Sequence, residues 1–236
     1  MSIEILYQDD YCICVNKPHD VLVHHGRFSR NNAHEDSLLQ LLEQQLGQKY
    51  YPVHRLDRRT SGVILLTTKT EYVSAFQKLF TEQHIQKTYY AVVRGYAPEH
   101  QHIDSPVKGK DAKEYKDAIT ELSLLDTVSL DIPVGRYDSS RYSLVKLLPK
   151  TGRMHQLRIH MKKISHPIIG DGKYGDYRHD AMYVEQFNWA NLFLHAGSLV
   201  FTHPFSFSEE ALVINATFSE NWHALFQRFN WKNPNT

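Results

Sequence analysis

Short runs rich in β-branched and aromatic residues, separated by turn-forming stretches instead of long crossovers, are what most limit the fold of this chain. They lie at residues 3–7, 11–16, 62–68 and 87–95, and again near 119–125, 143–148, 192–201 and 212–218. Lys17-Pro18-His19-Asp20 and Gly95 supply the turn chemistry that ends two of them. Helical spacing is confined to fewer segments. One runs from Asp36, read as its N-cap, through Leu38, Leu39, Leu41, Leu42 and Leu46 to Gly47. A second carries Tyr72, Val73, Phe76, Leu79 and Phe80 behind Thr70, a short third spans 155–164, and a last one follows Ser219 with Trp222, Leu225, Phe226 and Phe229. The polar stretch 100–117 reads as a surface loop or weak hairpin. Strands outnumbering helices in this order predict an α+β fold on a mixed, mostly antiparallel sheet with flanking helices.

At 236 residues and 42% hydrophobic, the chain is long enough for one large core, and no Pro-rich or Gly/Ser-rich linker divides it. Residues 1–236 are therefore expected to form a single domain. Cys12 and Cys14 stand two apart in one strand, a spacing poorly suited to a mutual disulfide, so reduced thiols are expected. The amino terminus has no cationic and apolar leader pattern, and no run is long enough to cross a bilayer. A cytoplasmic protein without a membrane partner is the resulting expectation.

The formal net charge of +1 says nothing of a polyanion partner, but local clustering does. From Arg141 to Lys163 every charged residue is basic, which makes that stretch a candidate phosphate-contacting surface. Fifteen histidines raise the question of a metal, yet no His-Glu-x-x-His, paired Cys-x-x-Cys or tight ligand spacing is present, so no metal is expected. Nucleotide-binding glycine loops and the Gly-x-Ser-x-Gly elbow are also missing.

The chemistry-bearing run is His54-Arg55-Leu56-Asp57-Arg58-Arg59-Thr60-Ser61-Gly62, which sets one carboxylate among three guanidiniums. Such a carboxylate stays ionised and is fit to act as nucleophile or base. A second constellation, from Pro149 through Thr151-Gly152-Arg153-Met154-His155-Gln156-Leu157-Arg158 to His160, is a turn leading into a helix. A semi-buried Arg158 needs an anion, and Asp57 is one candidate; membership in a general phosphate-binding set is the other.

In these motifs, together with Asn16-Lys17-Pro18, Lys87-Thr88-Tyr89, His166-Pro167 through Asp171, and Leu194-His195-Ala196, the chain resembles the RluA family of pseudouridine synthases. The resemblance runs from residue 3 to about 218. It implies the family's catalytic domain with a central RNA-binding cleft, and the opening strand leaves no room for an N-terminal S4 domain. It further implies Asp57 as catalytic aspartate, Arg158 as its ion-pair partner, Tyr89 as the aromatic residue against the target base, and Leu194 as the apolar wall. Arg55, Arg58, Arg59, Arg153, His155 and Gln156 are expected to contact substrate, and no cofactor is required. The implied partner is RNA, with a tRNA favoured and uridine 65 of the T stem as target. Monomer is the default state. Ribosomal RNA as substrate, or a non-catalytic RNA-binding or remodelling role, are the rival readings. Two departures from the family pattern stand out: Asp20 replaces a Gly, and Arg59 replaces a residue that is often Pro or Asp.

Overall fold

The first two apolar runs pair antiparallel as β1 (Glu4–Gln8) and β2 (Cys12–Lys17), with a bulge between Ile5 and Tyr7. The computed structural model describes residues 1–25, 35–109 and 113–235. Within these, the chain divides into two compact units, Met1–Lys87 with Ala196–Thr217, and Thr88–His195 with Phe218–Thr236.

In the first unit, helix α1 (Leu38–Leu46) buries Leu38 and Leu42 and is tied to the amino terminus through Gln45, which both accepts from the Ile3 N–H and donates to the Ile3 carbonyl. Its cap is Ser37, not Asp36: Ser37 and Gln40 form a capping box, the Ser-x-x-Gln arrangement that satisfies two end groups reciprocally. Gly47 ends it at φ +72°, as expected. A two-residue strand β3 (Tyr51–Pro52) precedes β4 (Ser61–Thr67), which is buried along its whole length. Thr70 does not cap a helix; it opens a 3₁₀ turn, Thr70–Tyr72, before α2 (Val73–Thr81).

The second unit begins within β5 (Ile85–Arg94), followed by β6 (His100–Asp104), β7 (Ile119–Leu130) and β8 (Ser140–Pro149). These stand in the order β5-β8-β7-β6, every neighbouring pair antiparallel. Part of the stretch expected as a surface loop or weak hairpin is thus a strand, and beyond it Val107 and Lys116 form an antiparallel bridge, as a weak hairpin would. Strand β7 runs five residues past its expected end because a bulge between Leu124 and Asp126 resets the register, leaving Leu125 exposed. Helices α3 (Gln156–Lys163) and α4 (Tyr177–Phe187) follow. The sequence reading had no helix at the latter, which buries only Met182 and Tyr183 and therefore shows no apolar stripe. Strand β9 (Leu194–Thr202) carries the chain back to the first unit, where the order is β1-β2-β4-β9, β10 (Ala211–Asn215) pairs antiparallel with β9, and β3 lies on β4. Helix α5 (Glu220–Phe229) closes the second unit; Ser219 holds its N-cap position without a side-chain capping bond.

The sheet strands are mostly antiparallel, so the expected α+β class is what the chain adopts. Cys12 and Cys14 are both free and buried. No helix among the described residues is long and apolar enough to cross a membrane.

Candidate active site

The loop that carries Asp57 is fixed from below. Val53 and Leu56 are buried, and His54 Nε2 accepts the Leu65 N–H at 2.9 Å while its ring stacks on Phe80 with centroids 4.4 Å apart. An imidazole that accepts at Nε2 must be neutral there. Burial, aided by the Lys87 charge, pushes His54 down to about 3 and keeps it so. The Asp57 carbonyl accepts the Thr60 N–H at 3.1 Å, closing a tight turn with Arg58 and Arg59 at its centre. Thr60 and Ser61 behind it are buried. Gly62 follows at φ +108°, where a Cβ would lie 2.2 Å from the Ala196 carbonyl oxygen, so only glycine lets β4 approach β9 this closely. Asp57 itself is half-buried.

Lys17 is the cation that organises the loop around Asp57. Fully buried at the end of β2, its Nζ donates to the carbonyls of Pro18 at 2.8 Å, Val21 at 2.8 Å and Arg58 at 2.9 Å. Three acceptors match the three donors of an ammonium. Burial pulls Lys17 down to about 7, and the negative charge of Asp57 is the largest influence opposing that. The sequence reading had Lys17 only as part of a motif; the pattern Asn16-Lys17-Pro18 at a strand end was the signal for it.

The three arginines of the run fare differently. Arg58 is gripped by Asp20, with Nε to Oδ1 at 2.9 Å, and by Glu35, with Nη2 to Oε2 at 2.7 Å. Asp20 has φ +63°, so the residue standing in place of the family's Gly does occupy a left-handed turn, and there it anchors Arg58. Arg59 is half-buried; burial and its charge together push His19 down to about 4. Arg55 is exposed.

In the second unit Arg158, 11% exposed at its side chain, forms a bidentate pair with the wholly buried Asp171, Nε to Oδ2 and Nη2 to Oδ1 both at 2.7 Å. Oδ1 of Asp171 also accepts the N–H groups of Lys173 and Tyr174 at 3.0 and 3.1 Å. The guanidinium and these bonds hold the Asp171 carboxyl below its ordinary range against the opposing effect of burial. The Tyr174 ring lies over Arg158, 5.2 Å away, and its hydroxyl is 3.1 Å from His155 Nδ1. His155 stands at φ +57° as the residue before α3. Gln156, expected against substrate, is only 4% exposed; its Oε1 accepts from Thr151 and the Arg153 N–H, and its Nε2 donates to Ile119 and Thr120. It fastens the turn to β7. Arg153 donates from Nε to the Asp117 carbonyl at 3.0 Å, and Lys163 to Ser105 and Pro106, so part of the basic stretch serves the fold.

Strand alternation separates the two adjacent tyrosines of β5. Tyr90 enters the cluster that holds Phe218 and Trp222, whereas Tyr89, half-buried, packs on the opposite cluster with Leu194, Leu157 and Met161. Tyr89 and Leu194 thereby belong to one apolar cluster, to which α3 contributes Leu157 and Met161.

Among the described residues one group has metal-ligand proximity: Asp9, Cys12 and His203. The carboxylate is already occupied by hydrogen bonds. Asp9 Oδ1 accepts from the N–H groups of Tyr11 and Cys12, Oδ2 from the Tyr7 hydroxyl, and the Phe205 N–H donates to His203 Nδ1, which puts the imidazole proton on Nε2, 3.2 Å from Asp9. That tautomer is the wrong one for coordination through Nε2.

A family model described as RNA pseudouridylate synthase matches residues 10–163. The chain belongs to the RNA pseudouridylate synthase family. It is similar to tRNA pseudouridine synthase C of Haemophilus influenzae, 42% identical over 98% of this chain and 99% of that one, and to the protein of the same name from Vibrio parahaemolyticus, 38% identical over 98% and 96%. Among solved structures, human RNA Pseudouridylate Synthase Domain Containing 4 superposes with a TM-score of 0.73 at 24% identity, covering 98% of this chain and 94% of that one. Human RNA Pseudouridylate Synthase Domain Containing 1 gives 0.65 at 22% identity, covering 98% and 97%. These two establish the pseudouridine synthase fold.

Proposed function

We propose that this protein is a tRNA pseudouridine synthase, an isomerase in which Asp57 is the catalytic carboxylate and uridine 65 of the T stem is the target. The observation that carries the reading is the seat of Asp57: a neutral, stacked His54 and a buried Lys17 hold its turn, and the Lys17 charge faces the carboxylate. Relatives named for tRNA, aligned over nearly the full length, support the substrate class.

The chemistry asks for what these residues offer. The bond from ribose C1′ to uracil N1 breaks, C1′ joins C5, the C5 proton leaves and N1 takes one up, so the base and sugar of one nucleotide suffice and no cofactor enters. A stacked uridine is out of reach of a carboxylate, and extruding it costs a few kcal/mol. Arg55, exposed beside Asp57, is suited to hold the distorted backbone. Tyr89 offers a ring face to the extruded base and Leu194 an apolar wall, while Arg158, set by Asp171, serves as the cation that keeps Asp57 charged. In this reading both units act as a single catalytic domain, monomeric and cytoplasmic, with RNA as partner.

Purified protein incubated with unmodified tRNA and ribosomal RNA transcripts, followed by chemical mapping of pseudouridine, tests this. Pseudouridine at position 65 of tRNA is the expected result. Modification confined to ribosomal RNA would overturn the tRNA assignment, and none on either RNA would overturn the catalytic one.

A further inference from the structure

Away from Asp57 and Arg158, one end of the second unit carries exposed tyrosines interleaved with arginines that the catalytic reading leaves unused. Tyr137 is 61% exposed and Tyr177 79%. Each ring lies near the guanidinium of its chain neighbour, Arg136 at 5.1 Å and Arg178 at 5.9 Å from the centroids. Exposed aromatic rings cost solvation and are rarely clustered without a partner to cover them.

The local structure brings them together. Val134 and Tyr137 exchange backbone hydrogen bonds at 3.0 and 3.3 Å, closing the β7–β8 connection so that Arg136 and Tyr137 stand out from it. Gly135, at φ +64°, lies against Arg178: a Cβ there would meet its Nη1 at 3.3 Å. Asp176, which caps α4, then clamps Arg178 at 3.4 Å and Arg94 at 2.7 Å. Arg141 lies over Tyr96, itself 48% exposed, 5.4 Å from its centroid. Arg136 donates from Nη2 to the Tyr137 hydroxyl at 3.0 Å and, with the charges of Arg178 and Arg94, draws that hydroxyl below its ordinary range. Asp176 pairs with Arg94 and Arg178, while the guanidiniums of Arg136 and Arg141 lie against tyrosine rings.

We propose that this arginine–tyrosine surface is a second RNA-contact site, where Tyr137 and Tyr177 stack on unpaired bases of the substrate and the arginines take the adjoining phosphates. The proposal rests on the reading of the protein as an RNA-modifying enzyme and adds where else the RNA is held. Sequence-tolerant binding of unpaired nucleotides combines these two elements, a π-face for each base and a cation for each phosphate. The surface is tied to the catalytic half-site by one short loop, since Asp171 sets Arg158 and Asp176, five residues on, sets Arg94 and Arg178. Along β5, Tyr89 and Arg94 are also five residues apart, roughly 17 Å at about 3.3 Å per strand residue. A single RNA strand spans that within a few nucleotides.

The test compares wild type with the triple variant Arg136→Ala, Tyr137→Ala, Tyr177→Ala, and with Tyr137→Phe, Tyr177→Phe, for binding to a full-length tRNA transcript across a salt series. All three side chains are exposed, and a thermal melt checks that the variants fold. Loss of one stacked base weakens binding roughly 5- to 100-fold. The triple variant is therefore expected to lose at least that much affinity, and its salt slope to fall by about one for the phosphate contact of Arg136. The Phe variant, which keeps both rings, should bind like wild type. Wild-type affinity and slope in the triple variant would overturn the proposal, as would loss of self-association with tRNA binding intact, the mark of a protein interface. Pseudouridine formation by wild type is followed in parallel: its absence sinks the catalytic reading, whereas unchanged binding in the triple variant of an active enzyme sinks only this surface.

Discussion

In the first unit a fully buried ammonium is held by three peptide carbonyls; in the second, a guanidinium is held by a carboxylate. Neutral oxygens satisfy the hydrogen bonds of Lys17 without cancelling its charge, so its positive field still reaches Asp57. Asp171 fixes the plane and direction of the Arg158 guanidinium through two parallel bonds. The first anchor keeps its charge and the second fixes a direction, and the two should fail differently when broken.

The sharpest contrast is at Asp57 itself. Asp57→Asn preserves shape but removes the charged oxygen, and turnover measured by pseudouridine formation in the transcript should fall on the order of 10⁴-fold or more, with tRNA affinity largely kept. Retained turnover would mean the field of Lys17 serves some other group.

Next in size is Lys17→Met. It leaves three buried carbonyls without donors, which should destabilise the first unit by about 3 kcal/mol or more in a denaturant melt. The wild-type lysine also separates stability from activity with pH. Because burial lowers Lys17 to about 7 while the unfolded side chain keeps its proton up to its ordinary 10.5, the unfolded chain binds more protons across that window. The contribution of this group to stability therefore rises with pH from about 7, while activity, which needs the charge beside Asp57, should decline over the same range. Parallel rises in both would remove Lys17 from the electrostatics of the site.

Asp171→Asn should have a smaller effect, about 2 kcal/mol, because the amide oxygen can still accept the two backbone N–H groups while Arg158 loses its counter-charge. Here the pH dependence is opposite in sense. The folded carboxyl lies below its unfolded value of 3.8, so its contribution is present above that pH and lost as acid takes the pH down through the folded value. The variant should lack that acid step in a pH series of melts.

Arg58→Ala completes the series with the least. Its partners Asp20 and Glu35 are exposed, so stability should change by less than about 1 kcal/mol. A large loss of tRNA affinity instead would show that Arg58 leaves those partners to grip RNA.

Much of this arrangement was legible in the sequence, for reasons that also explain the gaps. The sequence marked the longer strands and α1, α2, α3 and α5 by their apolar runs and spacing, but not the two-residue β3 or the mostly polar β6. It missed α4, whose helix is held by the Asp176 cap and two buried side chains, and it mistook the cap of α1, where the Ser-x-x-Gln pair outcompetes the neighbouring Asp36. In the site, Asp57 and Arg158 announced themselves as charges in strand-end and helix-start contexts. Asp171 as the clamp of Arg158 did not, since thirteen residues separate the pair and only the loop 170–176 brings them together. Gln156 was read as a substrate contact because it sits in a motif; its four internal hydrogen bonds belong to the folded turn and have no signature along the chain.

The cage around Lys17 has an evolutionary corollary. Its acceptors are main-chain oxygens at positions 18, 21 and 58, which every amino acid possesses, so no side-chain replacement at those three sites deletes a partner. Drift there is tolerated as long as the loop keeps its path, and the lysine alone is irreplaceable. Random mutagenesis should accordingly recover active sequences with varied residues around it and almost none at position 17.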